Sequence, residues 1–181
     1  MKLDNPLIIV PLKFGFFGAV MVVILFFLLY FTGANPLLDM KMFDFFILPI
    51  FLFFATKEFR DTHNSRQAEF WHGMTVGFVT YLTYALTATV VLVLFLFLAD
   101  QQIFDDYVIN TVAEATKNKE QTIEKLGEAA YNETLIKLKE TSKTDVILDF
   151  LIKKLIIGLM LTIMIAVIMR RKPSEKETSA S

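Results

Sequence analysis

The sequence predicts an all-α membrane protein: a bundle of four transmembrane helices with an extracytoplasmic helical hairpin between spans three and four. Hydrophobic residues make up 55% of the 181 residues, which is more apolar surface than a soluble domain of this size can bury. These residues come in long runs separated by charged segments, as is typical of membrane proteins. We expect one membrane domain over residues 1–172 and a disordered cytoplasmic tail over residues 173–181.

Each predicted span is an apolar run near the length that crosses a bilayer, about 20 helical residues for a hydrocarbon core of about 30 Å. The first run follows Lys13 and lacks a convincing cleavage site, so we interpret it as a span and not as a signal peptide. The third run is longer than the bilayer needs and should tilt or protrude. The spans cover about residues 12–31, 37–55, 70–99 and 146–169.

Span two is the weakest of the four. Its purely apolar part, Phe45 to Ala55, would cover only about 16 Å as a helix. To cross the membrane it must include Asp39, Lys41 and Asp44 in its first half. The alternative is a re-entrant or interfacial segment.

Residues 100–145 form the only sizeable polar region and carry more acidic than basic residues. Apolar residues recur there at helical spacing, which predicts two amphipathic helices broken near Thr116 to Asn118. Neither helix is apolar enough to span a membrane. We therefore expect this region, about residues 100–145, to be an external helical segment.

Basic residues indicate the orientation of the bundle. They cluster after span four, between spans two and three, and at the N-terminus. With four spans these three segments lie on one side, which the positive-inside rule assigns to the cytoplasm. The sequence thus predicts a multi-pass protein of an inner, plasma-type membrane with both termini cytoplasmic.

A group of charged residues in the outer halves of spans two and four is the first candidate site. Span two contributes Asp44, and span four contributes Asp149, Lys153 and Lys154. A carboxylate within the membrane needs a partner or water, and Lys153 or Lys154 could supply the cation. The group is an outward-facing polar vestibule, or a structural ion pair, or a set of side chains that extend to the membrane interface.

Small and hydroxylated residues on span three form a second group. Gly73, Gly77, Thr80 and Tyr84 recur on one side of the helix, and this spacing favours close packing of helices within the bundle or against a partner subunit. Basic and aromatic residues near the predicted cytoplasmic face are expected to anchor the helices at the membrane interface. They are Arg66, Trp71, Arg170 and Arg171.

The motifs of common enzymes are missing. The chain has no Cys, which excludes disulfides, zinc thiolates and thiol nucleophiles. It also contains no P-loop, GxSxG, HExxH or glycine-rich dinucleotide motif. We expect no catalytic residue, metal or cofactor. Because the net charge is only −1, we expect no nucleic-acid partner.

The order of these segments resembles a family of small inner-membrane proteins, typical of Bacteroidetes, known as domain of unknown function 4199. The likeness rests on two leading spans, a short polar link, an aromatic-x-Gly-x-x-x-Gly start of the third span at Trp71 to Gly77, and a last span ending in Arg170-Arg171-Lys172. The resemblance implies a membrane fold and location but no activity and no catalytic residues.

The leading functional hypothesis is a non-enzymatic accessory or interaction subunit of an envelope complex. It rests on the missing catalytic motifs and on amphipathic external helices that need a partner or a membrane surface. We expect the lipid bilayer as a partner, together with a membrane protein or a second copy of the chain. The alternative is a small transporter or lipid-handling protein that uses the outward-facing polar vestibule.

Overall fold

A computed structural model of the chain describes residues 5–64, 68–98 and 101–170, apart from the side chains of Met40, Lys41, Met42 and Asp44. The predicted tail, residues 173–181, lies outside the described residues. The described residues form seven α-helices and one π-helical turn, Phe59–His63, after the second helix. The helices are α1 Pro6–Phe31, α2 Pro36–Glu58, α3 Phe70–Leu98, α4 Gln101–Lys117, α5 Lys119–Leu126, α6 Glu128–Lys139 and α7 Lys143–Ile168.

Three of the described helices, α1, α3 and α7, are long and apolar enough to cross a membrane. The predicted all-α class is confirmed, and these helices indicate a membrane protein. The helix α2 is not among the three. Its first half contains Asp39, Lys41 and Asp44, which lower its mean hydropathy.

Two of the apolar helices begin before the predicted spans because polar caps start them. The α1 helix begins at Pro6, where the Asn5 side chain accepts a hydrogen bond of 3.0 Å from the Leu7 amide. The α7 helix begins three residues early, at Lys143, after a capping box between Ser142 and Asp145. Hydropathy locates the membrane-facing part of a helix, whereas the caps determine where it begins.

The central helix of the bundle is α3, which packs against α1 on one side and α7 on the other, with α2 beside them. Glycines allow these close contacts. A Cβ atom at Gly15 of α1 would lie 2.5 Å from the Thr80 carbonyl oxygen, and one at Gly77 of α3 would lie 2.5 Å from Thr162 Cγ2 of α7. Close backbone approach of this kind is a common basis for helix association in lipid.

The segment between α3 and α7 forms three helices and not the two predicted. The predicted break is present at Asn118, between α4 and α5. A second break occurs at Gly127, whose φ of +85° is a conformation that residues with a side chain rarely adopt. We call residues 101–139 the outer segment, in which α4 packs on α6.

Two polar contacts lie where the outer segment meets the long helices: one attaches the outer segment itself, and the other joins α7 to α3. The Asn35 side-chain amide, in the turn between α1 and α2, donates a hydrogen bond of 3.0 Å to the Ile103 carbonyl of α4. The Lys143 ammonium, in the first turn of α7, donates one of 2.7 Å to the Leu96 carbonyl near the end of α3. This bond satisfies a carbonyl that a helix end would otherwise leave without a partner.

Candidate functional site

Tyr84 lies where all four long helices meet. It stands at the midpoint of α3 and is fully buried. Its ring lies so close to α1 that a Cβ atom at Gly18 would be 3.1 Å from Tyr84 Cδ2. On α7 the Lys154 ammonium lies 4.9 Å from the centre of the same ring. Leu48 of α2 completes the group by lining the same cavity as Tyr84.

Lys154 is the most unusual charged residue described in the bundle, because only 4% of its surface is exposed. Its ammonium lies over two aromatic rings, at 4.3 Å from the centre of the Phe150 ring and 4.9 Å from that of Tyr84. A cation over a ring face is attracted by the ring quadrupole. The residue lies near the midpoint of α7, where an ionisable side chain in a spanning helix is costly and usually functional.

The neighbouring Lys153 behaves differently. Its ammonium pairs with the Asp149 carboxylate of the same helix at 2.6 Å, and the two side chains are 54% and 47% exposed. Neighbouring residues of an α-helix differ by about 100° in direction. This rotation turns Lys153 outward and Lys154 toward α3.

A cavity of about 190 Å³ lies between α2, α3 and α7, next to Lys154. We call it the Lys154 cavity. A cavity of about 150 Å³ is enough to hold benzene, so this one has room for part of a small organic molecule. Its apolar wall consists of Leu48, Phe150, Ile157 and the Tyr84 ring, and its charged lining consists of Asp149, Lys153 and Lys154.

Asp44, the residue predicted to join the vestibule from α2, has a side chain outside the described part of the structure. The residue itself belongs to α2 and precedes Leu48 by one helical turn. Residues four apart share a face of a helix, so position 44 lies on the side of α2 that carries Leu48 to the cavity. Its role in the vestibule stays a prediction.

The predicted stripe on α3 contacts two helices of the bundle. Gly73 and Gly77 lie against α7, and a Cβ atom at Gly73 would be 3.0 Å from the Ala166 Cα atom. The carbonyl of Thr80 lies against Gly15 of α1. The buried stripe therefore joins the two apolar helices that flank α3.

The two predicted interface residues that the structure describes, Trp71 and Arg170, lie at ends of the long helices. Trp71 is exposed in the first turn of α3, and its indole N–H donates a hydrogen bond of 2.7 Å to Glu69. Arg170 is exposed just after α7. Two further predicted anchors, Arg66 and Arg171, lie outside the described residues.

Several residues of the site escaped the sequence analysis. Phe150 precedes Lys154 by four residues, so helical spacing could have placed its ring beside the ammonium. Gly18 and Gly158 could have been found as small residues in apolar helices, because a Cβ atom at Gly158 would lie 2.7 Å from the Tyr81 ring. The contribution of Leu48 has no signal in the sequence, since it depends on how α2 is rotated.

The cavity has groups suited to binding. It combines one buried ammonium with a phenol ring and an apolar wall, and a charge in such a low-dielectric place interacts strongly with a ligand charge. Within residues 5–64, 68–98 and 101–170, no group of three or more His, Asp or Glu side chains is arranged to hold a metal ion.

Comparison with known families gives one match. The model of a family described as "Protein of unknown function (DUF4199)" matches residues 13–171, nearly the whole chain. Searches of curated proteins and of solved structures return no match.

Proposed function

The chain belongs to the DUF4199 family of proteins of unknown function, and we propose that it is a small transporter or lipid-handling protein of the inner membrane. The Lys154 cavity is its functional centre. The observation that carries this proposal is an ammonium with 4% exposure near the midpoint of an apolar helix, beside a cavity of about 190 Å³. An ionisable group costs several kcal/mol at the centre of a bilayer, and such residues usually mark a ligand or ion pathway.

The proposal includes four spans with both termini in the cytoplasm. Support comes from the pairing of α1 with α2, which a short turn joins. The Lys13 ammonium of α1 pairs with Glu58 of α2. Measured along the helices from the turn, Lys13 is about 27 Å away and Glu58 about 33 Å away. If α1 crosses the membrane, α2 therefore crosses back, because its end lies at the same depth as the start of α1.

The surface of α2 also supports a fourth span. It exposes five large apolar side chains: Phe45, Phe46, Ile50, Phe53 and Phe54. An apolar patch of this size is unusual on a surface that faces water, whereas lipid accommodates it. The described basic residues Lys57, Arg60 and Arg170 then lie on the cytoplasmic side.

In this orientation α7 runs from outside to inside, so the Asp149–Lys153 pair lies nearer the outer face than Lys154. The exposed pair then lies toward the outer side of the cavity, and Ile157 lines it further in. A ligand reaches the ammonium from the outer leaflet by passing this pair. The predicted outward-facing vestibule then corresponds to the Lys154 cavity.

A cavity-filling variant tests whether the cavity binds a molecule. We expect the protein purified in mild detergent to retain a small molecule that solvent extraction and mass spectrometry detect. Ile157→Trp places an indole in the cavity and should remove that molecule. Ile156→Trp is the matched control, because Ile156 is exposed on the outer surface of α7. Identical extracts from both variants and the unaltered chain would contradict a binding function.

Asp44→Asn separates a functional role of the vestibule from a structural one. The proposal predicts that this variant loses the bound molecule while it is expressed and stays monodisperse. Loss of expression and of fold would instead identify Asp44 as part of a structural ion pair. The measurement combines size-exclusion chromatography with the same extraction.

A second candidate function is the accessory or interaction subunit. The outer segment favours it, because Ile109, Leu126 and Ile136 are exposed there and could contact another protein. It predicts that a membrane protein co-purifies after gentle solubilisation, and that replacing these three residues by Asn releases it. A monodisperse protein that purifies alone contradicts this second function.

A further inference from the structure

We propose that the Lys154 cavity holds part of the hydrocarbon chain of a membrane lipid, which enters it laterally from the bilayer. This inference rests on the proposed function, which says that the cavity binds a molecule but not which class. The apolar lining of the cavity, its opening toward lipid and its depth in the bilayer each favour a lipid chain. We assign no charge to the head group, which stays outside the cavity.

Most of the surface that lines the cavity is hydrocarbon. Leu48, Phe150 and Ile157 offer only apolar groups to a ligand, and Tyr84 contributes its ring. Empty space beside such side chains forfeits dispersion contacts, which an alkyl chain restores. Water is a poor occupant of this part of the cavity, because each molecule needs several polar partners. The lining therefore favours a chain of methylene groups.

The cavity has a buried floor and an exposed mouth. Leu48 and Tyr84 form the floor, at 2% and 0% exposure. Asp149 and Lys153 also line the cavity, but their side chains are 47% and 54% exposed and pair with each other at 2.6 Å. The mouth therefore lies at this ion pair, on the outer surface of α7.

The surface next to the mouth is apolar. Leu148 and Ile152, which precede Asp149 and Lys153 in the sequence, are 49% and 52% exposed. Because α7 is long and apolar enough to cross a membrane, these exposed side chains face lipid and not water. A chain of a neighbouring lipid thus reaches the mouth directly from the bilayer.

The depth of the cavity matches the chains of a lipid and not its head group. The 26 residues of α7 extend about 39 Å, which exceeds a hydrocarbon core of about 30 Å by less than one helical turn at each end. Ile157 lies about 21 Å along the helix from Lys143. It is therefore close to the bilayer midplane, where lipid chains end.

The volume of the cavity limits how much of the chain is enclosed. A cavity of about 150 Å³ encloses benzene. The Lys154 cavity, at about 190 Å³, therefore holds roughly six to eight carbons of a single chain. The remainder of the lipid stays in the bilayer, outside the ion pair at the mouth.

Photolabelling from the bilayer tests this inference on the unaltered protein. The chain is reconstituted in phosphatidylcholine vesicles with a trace of phosphatidylcholine that carries a diazirine at the end of one chain. After irradiation, mass spectrometry locates the labelled residues. We expect label on Leu48 and Tyr84, which are too buried for lipid on the bundle surface to reach, and on the exposed residues Phe46 and Ile156. Label on the exposed residues but on neither buried residue would overturn the inference.

Two neighbouring isoleucines provide matched variants. Ile157→Trp fills the cavity and should abolish the label on Leu48 and Tyr84, whereas the label on Phe46 should stay. Ile156→Trp adds the same indole to the exposed surface of α7 and should leave the label on both buried residues. Equal labelling of the buried residues in the two variants would mean that the chain does not enter through the cavity, which contradicts the inference. If Ile157→Trp does not fold, the labelling pattern of the unaltered chain decides alone.

The molecule extracted from the purified protein separates failure of this inference from failure of the proposed function. If Ile157→Trp removes a retained molecule that has no alkyl chain, and Leu48 and Tyr84 stay unlabelled in the vesicles, the ligand class is wrong and the binding function stands. If the extracts of the two tryptophan variants are identical and the buried residues stay unlabelled, both proposals fail.

Discussion

The four long helices and the outer segment are both α-helical, but different contacts hold them together. In the bundle, α1 and α7 approach α3 through glycines, and Tyr84 is enclosed by the meeting helices. In the outer segment, Phe104 and Tyr131 are the described residues that are buried, and its ion pair between Glu133 and Lys137 is exposed. Close packing therefore holds the bundle, whereas a few anchors hold the outer segment.

The largest effect should come from emptying the centre of the bundle. Tyr84→Ala removes a fully buried ring, and we expect a loss of about 3–5 kcal/mol in the free energy of unfolding, as for other buried aromatic residues. Unfolding in mixed detergent micelles measures it. Tyr131→Ala is the control, because Tyr131 is also buried but lies in the outer segment. Equal losses would erase the difference between the two regions.

The next effect tests the close contact between α1 and α3. In Gly15→Val the new Cβ atom would lie only 2.5 Å from the Thr80 carbonyl oxygen. We therefore expect the free energy of unfolding to fall by about 1–3 kcal/mol. Ala129→Val adds bulk to an exposed position of α6 and should change little. A stable Gly15→Val protein, measured by the same unfolding assay, would show that this contact is dispensable.

A smaller effect is expected where the two regions join. Lys143→Met keeps the length of the side chain but removes the ammonium that donates to the Leu96 carbonyl at 2.7 Å. We expect a loss of about 1 kcal/mol, as for one partly buried hydrogen bond. Trypsin should also cut the outer segment faster. No change relative to Lys139→Met, an exposed control, would contradict a role for this bond.

The smallest effect should come from the exposed ion pair. A hydrogen bond from Lys137 lowers the pKa of Glu133, so the pair stabilises the folded state above the ordinary pKa of a glutamate. That contribution disappears as the pH falls through the lowered pKa. Because both side chains are exposed, Lys137→Met should lower the unfolding midpoint at neutral pH less than any of the other variants. A shift comparable to that of Tyr84→Ala would contradict the comparison.

The sequence predicted the long helices well because an apolar run long enough to cross a bilayer must satisfy its backbone hydrogen bonds internally, which a helix does. The predicted ends of α1, α3 and α7 lie within six residues of the observed ones, and the largest differences, at the starts of α1 and α7, arise from the polar caps Asn5 and Ser142. The extra helix break at Gly127 was missed because its requirement is a backbone conformation, which hydropathy does not report.

The candidate site was only partly predictable. The sequence identified Lys153 and Lys154 as alternatives, but hydropathy says nothing about how a helix rotates around its axis. That rotation turns Lys154 toward Tyr84 and leaves Lys153 with Asp149. The contacts of α2 with the cavity depend in the same way on packing between distant parts of the chain, which a periodic pattern does not reveal.

The central claim is that α2 crosses the membrane, because this crossing places the Lys154 cavity inside the bilayer. The chain has no Cys, so single cysteines at Asn35, Asn64, Asn118 and Ser179 can be probed in intact cells with a membrane-impermeant thiol reagent. The account predicts labelling at positions 35 and 118 and none at 64 and 179. Labelling of positions 35 and 64 on the same side would contradict it.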